Sequence, residues 1–545
     1  MKGVTGPQDD RAADILKRVE KARGDRATWE SHWTEIAEYV VPAYSDMFLS
    51  RGIITPGQKK TEKVFDSTAQ AALTRFRSVM ESILTPRQQT WHRLKAVDPY
   101  LMKDRDTQLW FEQANDLLFR YRYAPNANYA SQQSEIYSSL GAFGTGCLFV
   151  DKLDNGKGLR YRAIFLGEVF FIENHQGIID TVYRCFNMTA RQVFQKWGDK
   201  TPKDIKDKLE TKPDDEHEII HCVYPRSDRQ TQRIDYAGMA YESIYLCKDS
   251  KTILSEGGYD TMPYIVSRYV TLPGENYGRS PAMDVLPAIK TLNEEKKTIL
   301  KQGHRIVDPV LLAYDDGVLD SFSLKPGAIN YGGVSAEGRQ LVHALPSGNL
   351  AIAKDMMDEE RAVINDAFLI TLFQILVETP QMTATEVLER AREKSALLAP
   401  IMGRQQSEAL GPMIEREIDV LMAQRLLPPM TDAMREAGGD YKVEYESPLS
   451  RMQKAEASAG GLRMFQYAGE IAATTQDPSS LDWFNVDEMM PALADAQAMP
   501  ASWIRSKKQV EEIRAGRQQQ QATQQLIDAA PAMASMMKQG VGAPV

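Results

Sequence analysis

Two histidines and a glutamate at residues 217–221 have the spacing of a zinc site. His217-Glu218-Ile219-Ile220-His221 matches the H-E-x-x-H pattern of zinc proteases. On a helix, residues i and i+4 place both imidazoles on one face, with the glutamate beside them as general base. The pattern therefore raises the hypothesis of a metal-dependent hydrolase that uses His217, Glu218 and His221.

The flanking sequence disfavours this chemistry, because it leaves no room for a long helix. Pro213-Asp214-Asp215 precedes the motif, and Cys222-Val223-Tyr224-Pro225 follows it. On a strand, the two histidines would lie about 13 Å apart along the chain and could not share one zinc ion. We predict a strand here and neither a metal nor a cofactor, and we keep the hydrolase as an alternative function.

A second candidate is the glycine-rich run Gly141-Ala142-Phe143-Gly144-Thr145-Gly146. Glycine-rich loops can cradle phosphates, but a P-loop continues with Lys and then Ser or Thr. Here Cys147 to Asp151 follows, which has the pattern of a strand. We interpret the run as a helix end followed by a strand. Because no catalytic constellation remains, we predict that the protein is not an enzyme.

Two helices separated by an irregular segment are the central elements. Ser280-Pro281 is a good helix start, since Ser is a favoured N-cap and Pro fits the first helical position. Residues 281–305 then repeat apolar side chains at helical spacing and would form a rod of roughly 37 Å, with a possible kink at Pro287. Residues 306–347 predict short strands and turns, and a second helical pattern follows them.

The two helices carry opposite charge. Between residues 290 and 305 there are five Lys or Arg residues against two Glu. Between 354 and 366, Lys354 and Arg361 face five acidic residues, which are Asp355, Asp358, Glu359, Glu360 and Asp366. A basic and an acidic helix can pair within a chain or between neighbouring subunits. They can also be two solvated faces of an ordinary protein, and charge alone leaves these interpretations open.

The rest of the chain predicts helices around a β-rich region. Between residues 146 and 270 the period changes to two, which indicates a mostly antiparallel β region. Its strands are predicted at 147–152, 159–165, 168–173, 179–186, 217–224, 241–247, 251–255 and 263–270, with a short helix at 189–197. Further helices are predicted at 11–39, 67–84 (N-capped by Ser67), 106–123, 129–142 and 386–426. The last is one long helix or a broken pair, in which Pro400 and Gly411-Pro412 can introduce kinks.

The C-terminal part has a weaker pattern. Tyr441 to Tyr445 alternates as a strand, and residues 450–500 are helical with expected breaks at Gly460-Gly461 and Pro478. A last helix is predicted from Trp503 to Ile527, before a disordered tail from Pro531.

Composition limits the possible function classes. The chain has 545 residues, 43% of them hydrophobic, which is enough for several domains. Its net charge is −9, whereas proteins that grip DNA phosphates tightly are usually basic. The four cysteines are scattered, no signal peptide is visible, and the longest apolar run is about half a membrane span. We expect a soluble protein made in the cytoplasm, with no membrane partner.

Three short motifs, taken in order, resemble one family. Tyr277-Gly278-Arg279-Ser280-Pro281-Ala282, Ile289-Lys290-Thr291-Leu292-Asn293, and Thr383-Ala384-Thr385-Glu386-Val387 with Arg390 resemble the head-to-tail connector (portal) proteins of short-tailed, T7-like phages. The resemblance extends from about residue 10 to about residue 430. It implies an α+β, mainly helical portal fold with wing, stem helices, clip and C-terminal crown or barrel helices, assembled as a ring.

The resemblance also implies how the chain is divided. The wing would contain residues 1–276, with a helical N-terminal part and a β-rich part at about 146–270. The remaining parts would be a first stem helix (277–305), a clip (306–347), a second stem helix (348–368), a tunnel-loop region (369–382), a long wing helix and strand (383–448), crown or barrel helices (449–530) and a disordered tail (531–545).

The function implied by the resemblance is structural. Twelve subunits would form the DNA channel at one capsid vertex of the virion, used for genome packaging, tail attachment and DNA ejection. The partners would be further copies of the chain, double-stranded DNA contacted without sequence readout, the terminase large subunit, capsid and scaffolding proteins, and a tail adaptor. Besides the hydrolase, the alternative is a helical scaffold protein that forms no ring.

Nine residues are predicted to line the channel on this resemblance. Four come from the first rod, namely Lys290, Lys297, Lys301 and Arg305. Five come from the tunnel loop, namely Thr371, Gln374, Glu378, Thr379 and Gln381. For the basic residues, the alternative is pairing with the acidic helix of a neighbouring subunit. For the loop residues, it is a buried helix end with a surface turn.

Overall fold

The computed structural model describes most of the chain, and it divides into two units. The described residues are 7–46, 48, 57, 59–154, 156–313, 323–345, 350–370, 398–446, 448–496, 499, 503–505 and 507–539. The first unit comprises Met1–Arg87 with Tyr121–Leu426, and the second comprises Gln88–Arg120 with Leu427–Val545.

The described residues form an α+β fold that is mainly helical, as the sequence predicted. The helices before the irregular segment are α1 (Pro7–Asp25), α2 (Ala27–Val40), α3 (Thr68–Leu84), α4 (Arg105–Arg122), α5 (Tyr129–Phe143), α6 (Ala190–Trp197), α7 (Lys203–Lys206), α8 (Pro281–Asp284) and α9 (Leu286–Val307). Those after it are α10 (Leu350–Ala367), α11 (Gly411–Ala423), α12 (Asp432–Glu436), α13 (Pro448–Thr475), α14 (Val486–Ala496) and α15 (Lys507–Gln539).

The strands are β1 (His92–Ala96), β2 (Thr145–Lys152), β3 (Leu159–Ile164), β4 (Val169–Glu173), β5 (Ile179–Thr189), β6 (Glu216–Pro225), β7 (Tyr241–Cys247), β8 (Thr252–Tyr259), β9 (Tyr264–Arg268), β10 (Leu311–Ala313), β11 (Val342–Ala344) and β12 (Tyr441–Tyr445). The first unit contains an antiparallel sheet in the order β4-β5-β6-β7-β8 and a second in the order β3-β2-β9. It also contains the β10-β11 pair, and the second unit contains the antiparallel pair of β1 and β12.

The five-stranded sheet is covered by helices on both faces. One face of β6 carries Ile220 and Cys222, which pack in a buried cluster with Ala12, Ile15 and Val19 of α1. The opposite face carries Ile219, which packs in another buried cluster with residues of α6 and α7. Because successive strand residues point to opposite faces, this double burial explains why β6 has buried apolar residues at consecutive positions, namely Ile219-Ile220 and Cys222-Val223.

Most predicted elements are confirmed. All eight strands predicted between residues 147 and 270 are present within a few residues of their expected bounds, as is the short helix that follows Thr189. Thr189 and Gln192 form a full capping box at its start. Within the described residues, no helix combines the length and apolar character needed to cross a membrane.

Two predicted helix details are wrong. Ser67 stands at the N-cap of α3 but its side chain accepts no capping hydrogen bond, and Asp66 Oδ1 instead accepts one from the Thr68 backbone N–H at 2.9 Å. The first rod breaks at Val285, between α8 and α9, rather than kinking at Pro287. Pro287 sits in the first turn of α9, where its missing N–H costs no helical hydrogen bond.

The long helix changes its hydrogen-bond register next to Gly411-Pro412, one of the two predicted kinks, and stays α-helical through Pro400, the other. Residues 398–405 are helical and continue through a π-helical segment, Gln406–Leu410, into α11. Pro412 has no N–H to offer the carbonyl four residues earlier, so the bonding is disturbed in the turn before it. Residues 386–397 of the predicted helix lie outside the described residues.

One C-terminal prediction is also wrong. α13 runs through Gly460-Gly461 without a break, since a glycine in a helix weakens it by only about 1 kcal/mol relative to alanine. α15 extends to Gln539, and residues 540–545 of the predicted disordered tail lie outside the described residues.

Candidate functional site

The turn that leads into α8 is fixed by the close approach of two glycines. A Cβ atom at Gly278 would overlap the carbonyl oxygen of Gly144, and a Cβ atom at Gly144 would overlap that of Gly278. Gly144 also has a φ of +73°, which favours glycine. The Gly278 N–H donates to Thr145 Oγ1 at 2.8 Å. The first rod therefore begins against the junction of α5 and β2.

Ser280 caps α8, as predicted. Its Oγ accepts a hydrogen bond from the Met283 backbone N–H at 3.1 Å and donates one to the Ala142 carbonyl oxygen at 2.8 Å. The neighbouring Tyr277 ring is buried against Trp33, with ring centroids 5.2 Å apart. These contacts hold the start of the rod rigidly on the first unit.

The first half of α9 is buried and the second half is exposed. Buried apolar side chains extend to Leu292. The buried Asn293 accepts a hydrogen bond from the Phe65 N–H at 2.7 Å and donates one to the Lys63 carbonyl oxygen at 2.8 Å. At the other end, Val307 is 87% exposed. The helix therefore projects from an anchored base.

α10 is tied to the same loop as the base of α9. Arg361 pairs with Asp66 at 2.7 Å, and the Asp66 N–H also donates to Asn293 Oδ1 at 3.4 Å. Partial burial acts to raise the pKa of Asp66, but hydrogen bonds from Thr68 and Arg361 outweigh it and lower that pKa. Asp66 therefore places Asn293 and Arg361 at one level of the two helices.

α9 and α10, which we call the helix pair, run antiparallel. A groove of about 580 Å³ between them is lined by Gln302 near the end of α9 and by Ala353 near the start of α10. Further down, burial and then the Glu360 carboxylate raise the pKa of Glu295. The end of α9 therefore lies near the start of α10, and Glu295 in the middle of α9 lies near Glu360 further along α10, as antiparallel helices require.

The four basic residues predicted to line the channel have different surroundings. Lys290 pairs with Glu35 of α2, and Lys297 pairs with Glu294 on its own helix at 3.0 Å. Lys301 and Arg305 are exposed, and neither has an acidic partner in the part of the chain that the structure describes. The structure does not show any of the four against DNA, and that role stays a prediction.

The acidic residues of α10 are also exposed. Asp355, Glu359 and Asp366 point away from the buried side of the helix, and no ion pair among the described residues joins them to α9. Arg361 instead reaches Asp66 and Asp358. The predicted pairing of a basic and an acidic helix therefore does not occur as ion pairs within the described chain.

The remaining channel predictions lie outside the described residues. These are Thr371, Gln374, Glu378, Thr379 and Gln381. The segment between the two helices is described in part, as the β10-β11 pair and residues 323–345. That part exposes large apolar side chains, including Leu324, Ile329 and Tyr331.

The H-E-x-x-H motif lies on β6, as the strand prediction required. His221 is buried, and its ring stacks on Tyr245 with centroids 4.0 Å apart. Its Nδ1 lies 2.6 Å from Tyr264 Oη, and its Nε2 lies 2.9 Å from Ser243 Oγ. Burial, and then the charges of Lys196 and Arg184, hold the pKa of His221 well below its usual range. Both ring nitrogens are therefore used in the core.

Glu218 lies on the opposite face of the strand and cannot act as a base beside the histidines. It pairs with Arg23 of α1 at 2.8 Å and with Lys248 at 2.6 Å. Burial acts to raise its pKa, but these two partners outweigh it and lower that pKa. Among the described residues, no group of three or more His, Cys, Asp and Glu side chains could hold a metal ion. His217, Glu218 and His221 therefore do not form a zinc-protease site, and the hydrolase alternative is wrong.

Comparisons with known proteins agree with the resemblance found in the motifs. A family model described as "Bacteriophage head to tail connecting protein" matches residues 12–504. The chain belongs to this family. It is 29% identical over 520 residues to the "Probable portal protein" of Bordetella phage BPP-1, covering 94% of this chain and 92% of that protein. It is 27% identical over 520 residues to the "Portal protein" of Salmonella phage epsilon15, covering 93% and 91%.

The predicted head-to-tail connector identity is confirmed by this membership. The motif residues that supported it have structural reasons, since Gly278 and Ser280 fix the turn into the connector's first rod and Asn293 fixes its base. Sequence reasoning missed the partners Gly144 and Asp66. The available signal was Asn293 itself, a polar residue on the apolar face of a helix, which must find buried hydrogen-bond partners.

Proposed function

We propose that this connector assembles into a closed ring of twelve subunits around a DNA channel at one vertex of the phage capsid. The observation that carries the proposal is the family match over residues 12–504, with two portal proteins similar over more than nine-tenths of the chain. A ring of identical chains needs head-to-tail interfaces, and each must bury surface that the single chain exposes.

The helix pair and the segment between its helices offer such surface. Leu300, Ile306 and Val363 are each more than two-fifths exposed, and Tyr331 is 83% exposed. Monomeric proteins rarely expose many large apolar side chains close together. We therefore assign α8 and α9 to the first stem helix, residues 306–347 to the clip and α10 to the second stem helix. Residues 1–276, with their β-rich part at about 146–270, would belong to the wing, and residues 449–530 to the crown or barrel.

DNA would pass through the ring without being gripped. The net charge of −9 and the absence of a basic excess suit a channel through which phosphates slide. We propose Thr371, Gln374, Glu378, Thr379 and Gln381 as polar loop residues that face the DNA. For the four basic residues of α9, contact with a neighbouring subunit is the alternative to contact with DNA.

The partners follow from this position. In the virion the ring would contact capsid proteins and a tail adaptor, and during assembly it would contact scaffolding proteins and the terminase large subunit. The terminase would hydrolyse the ATP that drives packaging, and the same channel would serve DNA ejection.

The proposal is tested by the mass of the purified full chain. Native mass spectrometry should give a species of roughly twelve times the 61.3 kDa chain mass, and negative-stain images should show rings with a central hole. A chain that stays monomeric or dimeric over a range of salt and protein concentrations, and also with capsid and scaffolding proteins present, would contradict it.

A further inference from the structure

We propose that the ring is joined by charge pairing between stems, with the basic face of α9 in one subunit binding the acidic face of α10 in the next. Lys301 and Lys297 would meet Asp355 and Glu359 of the neighbouring copy. The inference rests on the proposed ring, and it assigns Lys297 and Lys301 to a protein interface rather than to DNA.

The charges are concentrated on single faces of the two helices. At 100° per residue, Lys290, Lys297, Lys301 and Arg305 lie within about 80° around α9. In the same way, Asp355, Glu359 and Asp366 lie within about 40° around α10. These three acidic residues are exposed, and Met357 and Ile364 occupy the buried side of α10. α10 therefore presents an acidic face. The face of α9 is predominantly basic, with the exposed Glu294 lying between Lys301 and Arg305 around the helix.

The spacing of the charges matches when the helices are antiparallel. Going down α9 from its exposed end, Lys301, Lys297 and Lys290 are separated by four and then seven residues. Going along α10 from its start, Asp355, Glu359 and Asp366 are also separated by four and then seven. These steps correspond to about 6 Å and 10.5 Å along each axis.

Asp66 joins Asn293 of α9 to Arg361 of α10, so these two residues lie near one level. Counting from them in opposite directions along the two helices, each lysine falls within about two residues, about 3 Å, of its acidic counterpart. A rotation about the ring axis moves no residue along that axis. For helices that run along a channel, residues that are level within a chain therefore stay level between neighbouring chains.

The three lysines differ in how strongly partners within their own chain already hold them. Lys290 already pairs with Glu35, so we do not expect it to bind Asp366 of a neighbouring subunit. Lys297 has the exposed Glu294 on its own helix and the ring of Phe65, whose centroid lies 5.7 Å from its Nζ. Such half-exposed contacts are worth little. Lys301 has no acidic partner in the described part of the chain. Lys297 and Lys301 are therefore available to pair with a neighbouring subunit.

Complementary charge-reversal variants test the proposal. The variant K297E/K301E has two acidic faces, and the variant D355K/E359K has two basic faces. We expect subunit association in each to weaken by about tenfold or more, because surface attractions become repulsions at every interface. The control K200E/K203E changes two exposed lysines outside the helix pair and should assemble like the wild type.

Mixing the two variants gives the decisive measurement. In a ring that alternates the two chains, every acidic face meets a basic face, so an equimolar mixture should recover rings that contain equal numbers of both chains by native mass spectrometry. If a variant failed to assemble only because the substitutions damaged its own fold, mixing would not restore the rings. Circular dichroism and thermal unfolding of each variant confirm that the chains are folded.

The remaining outcomes separate a failure of the charge pairing from a failure of the proposed ring. If the wild type forms rings but both variants do so equally well, or if mixing restores nothing, the charge pairing is overturned while the ring stands. If K297E/K301E assembles normally but binds DNA less tightly, the lysines face the channel and the proposal is also overturned. A wild type that forms no ring under any condition overturns the proposed function itself.

Discussion

Arg122 and Glu417 form an ion pair in which both side chains are completely buried, although 295 residues separate them in the sequence. Arg122 Nε donates to Glu417 Oε1 at 3.0 Å, and Tyr161 Oη donates to the same oxygen at 2.6 Å. Burial acts to lower the pKa of Arg122, but the charge of Glu417 outweighs it and raises that pKa. The pair fixes α11 against the end of α4.

Removing one partner of this pair should destabilise the connector strongly. E417Q keeps the shape of the side chain but leaves the Arg122 guanidinium buried without a counter-charge, which typically costs about 3–5 kcal/mol. The free energy of unfolding, measured by urea denaturation with fluorescence detection, should fall by that amount. The matched control E436Q alters an exposed glutamate of α12 and should change it by no more than about 0.5 kcal/mol. Equal effects of both substitutions would contradict this prediction.

Alanine substitutions at Gly278 and Gly303 should change the stability of the connector in opposite directions. G278A places a methyl group against the rigid backbone at Gly144, so we expect a loss of about 1–3 kcal/mol. G303A lies within α9 with no atom within 4 Å of the added Cβ, so we expect a gain of about 0.5–1 kcal/mol. Thermal unfolding midpoints should therefore move in opposite directions. A shared direction would show that the close approach to Gly144 does not limit position 278.

His221 should make the connector less stable in acid. Its imidazole stays neutral in the fold, whereas in the unfolded chain it takes up a proton below about pH 6.5. The unfolded state then binds more protons, so the free energy of unfolding should fall by about 2 kcal/mol from this group between pH 7.5 and pH 5. Glutamine does not titrate, so the free energy of unfolding of H221Q should not show this decrease of about 2 kcal/mol. We expect H221Q to be less stable than the wild type at pH 7.5, because it loses buried contacts of the imidazole.

The control for this pH dependence is H175Q, which changes an exposed histidine in a turn. It should keep the pH profile of the wild type. An unchanged pH profile in H221Q would mean that the pKa of His221 is the same in the folded and the unfolded chain, which would contradict this prediction.

Metal chelation should have no effect on the connector. Dialysis against EDTA should leave the thermal unfolding midpoint and the oligomeric mass unchanged, because His217 and His221 are about 13 Å apart along β6 and Glu218 is held by Arg23 and Lys248. One zinc ion per chain by elemental analysis, lost together with stability on chelation, would contradict this prediction.

Local patterns in the sequence were sufficient for most of the elements. Apolar residues with a period of two predicted β2 to β9, and Thr189, Ser280 and Pro281 marked helix starts, because these signals depend on a few neighbouring residues. The errors came where local signals are weak. A glycine pair costs too little to break α13, and an acidic neighbour replaced Ser67 as the cap of α3.

The sequence by itself determined the succession of helices and strands, the two oppositely charged helices and the family to which the chain belongs. Only the tertiary structure decided which distant residues meet: Gly144 with Gly278, Arg122 with Glu417, and Asp66 with Asn293 and Arg361. It also decided that the two charged helices lie side by side, with Lys301, Arg305 and the acidic face of α10 exposed and Lys290 paired with Glu35. Such contacts depend on how whole elements pack, and residues hundreds of positions apart carry no local pattern that identifies their partners.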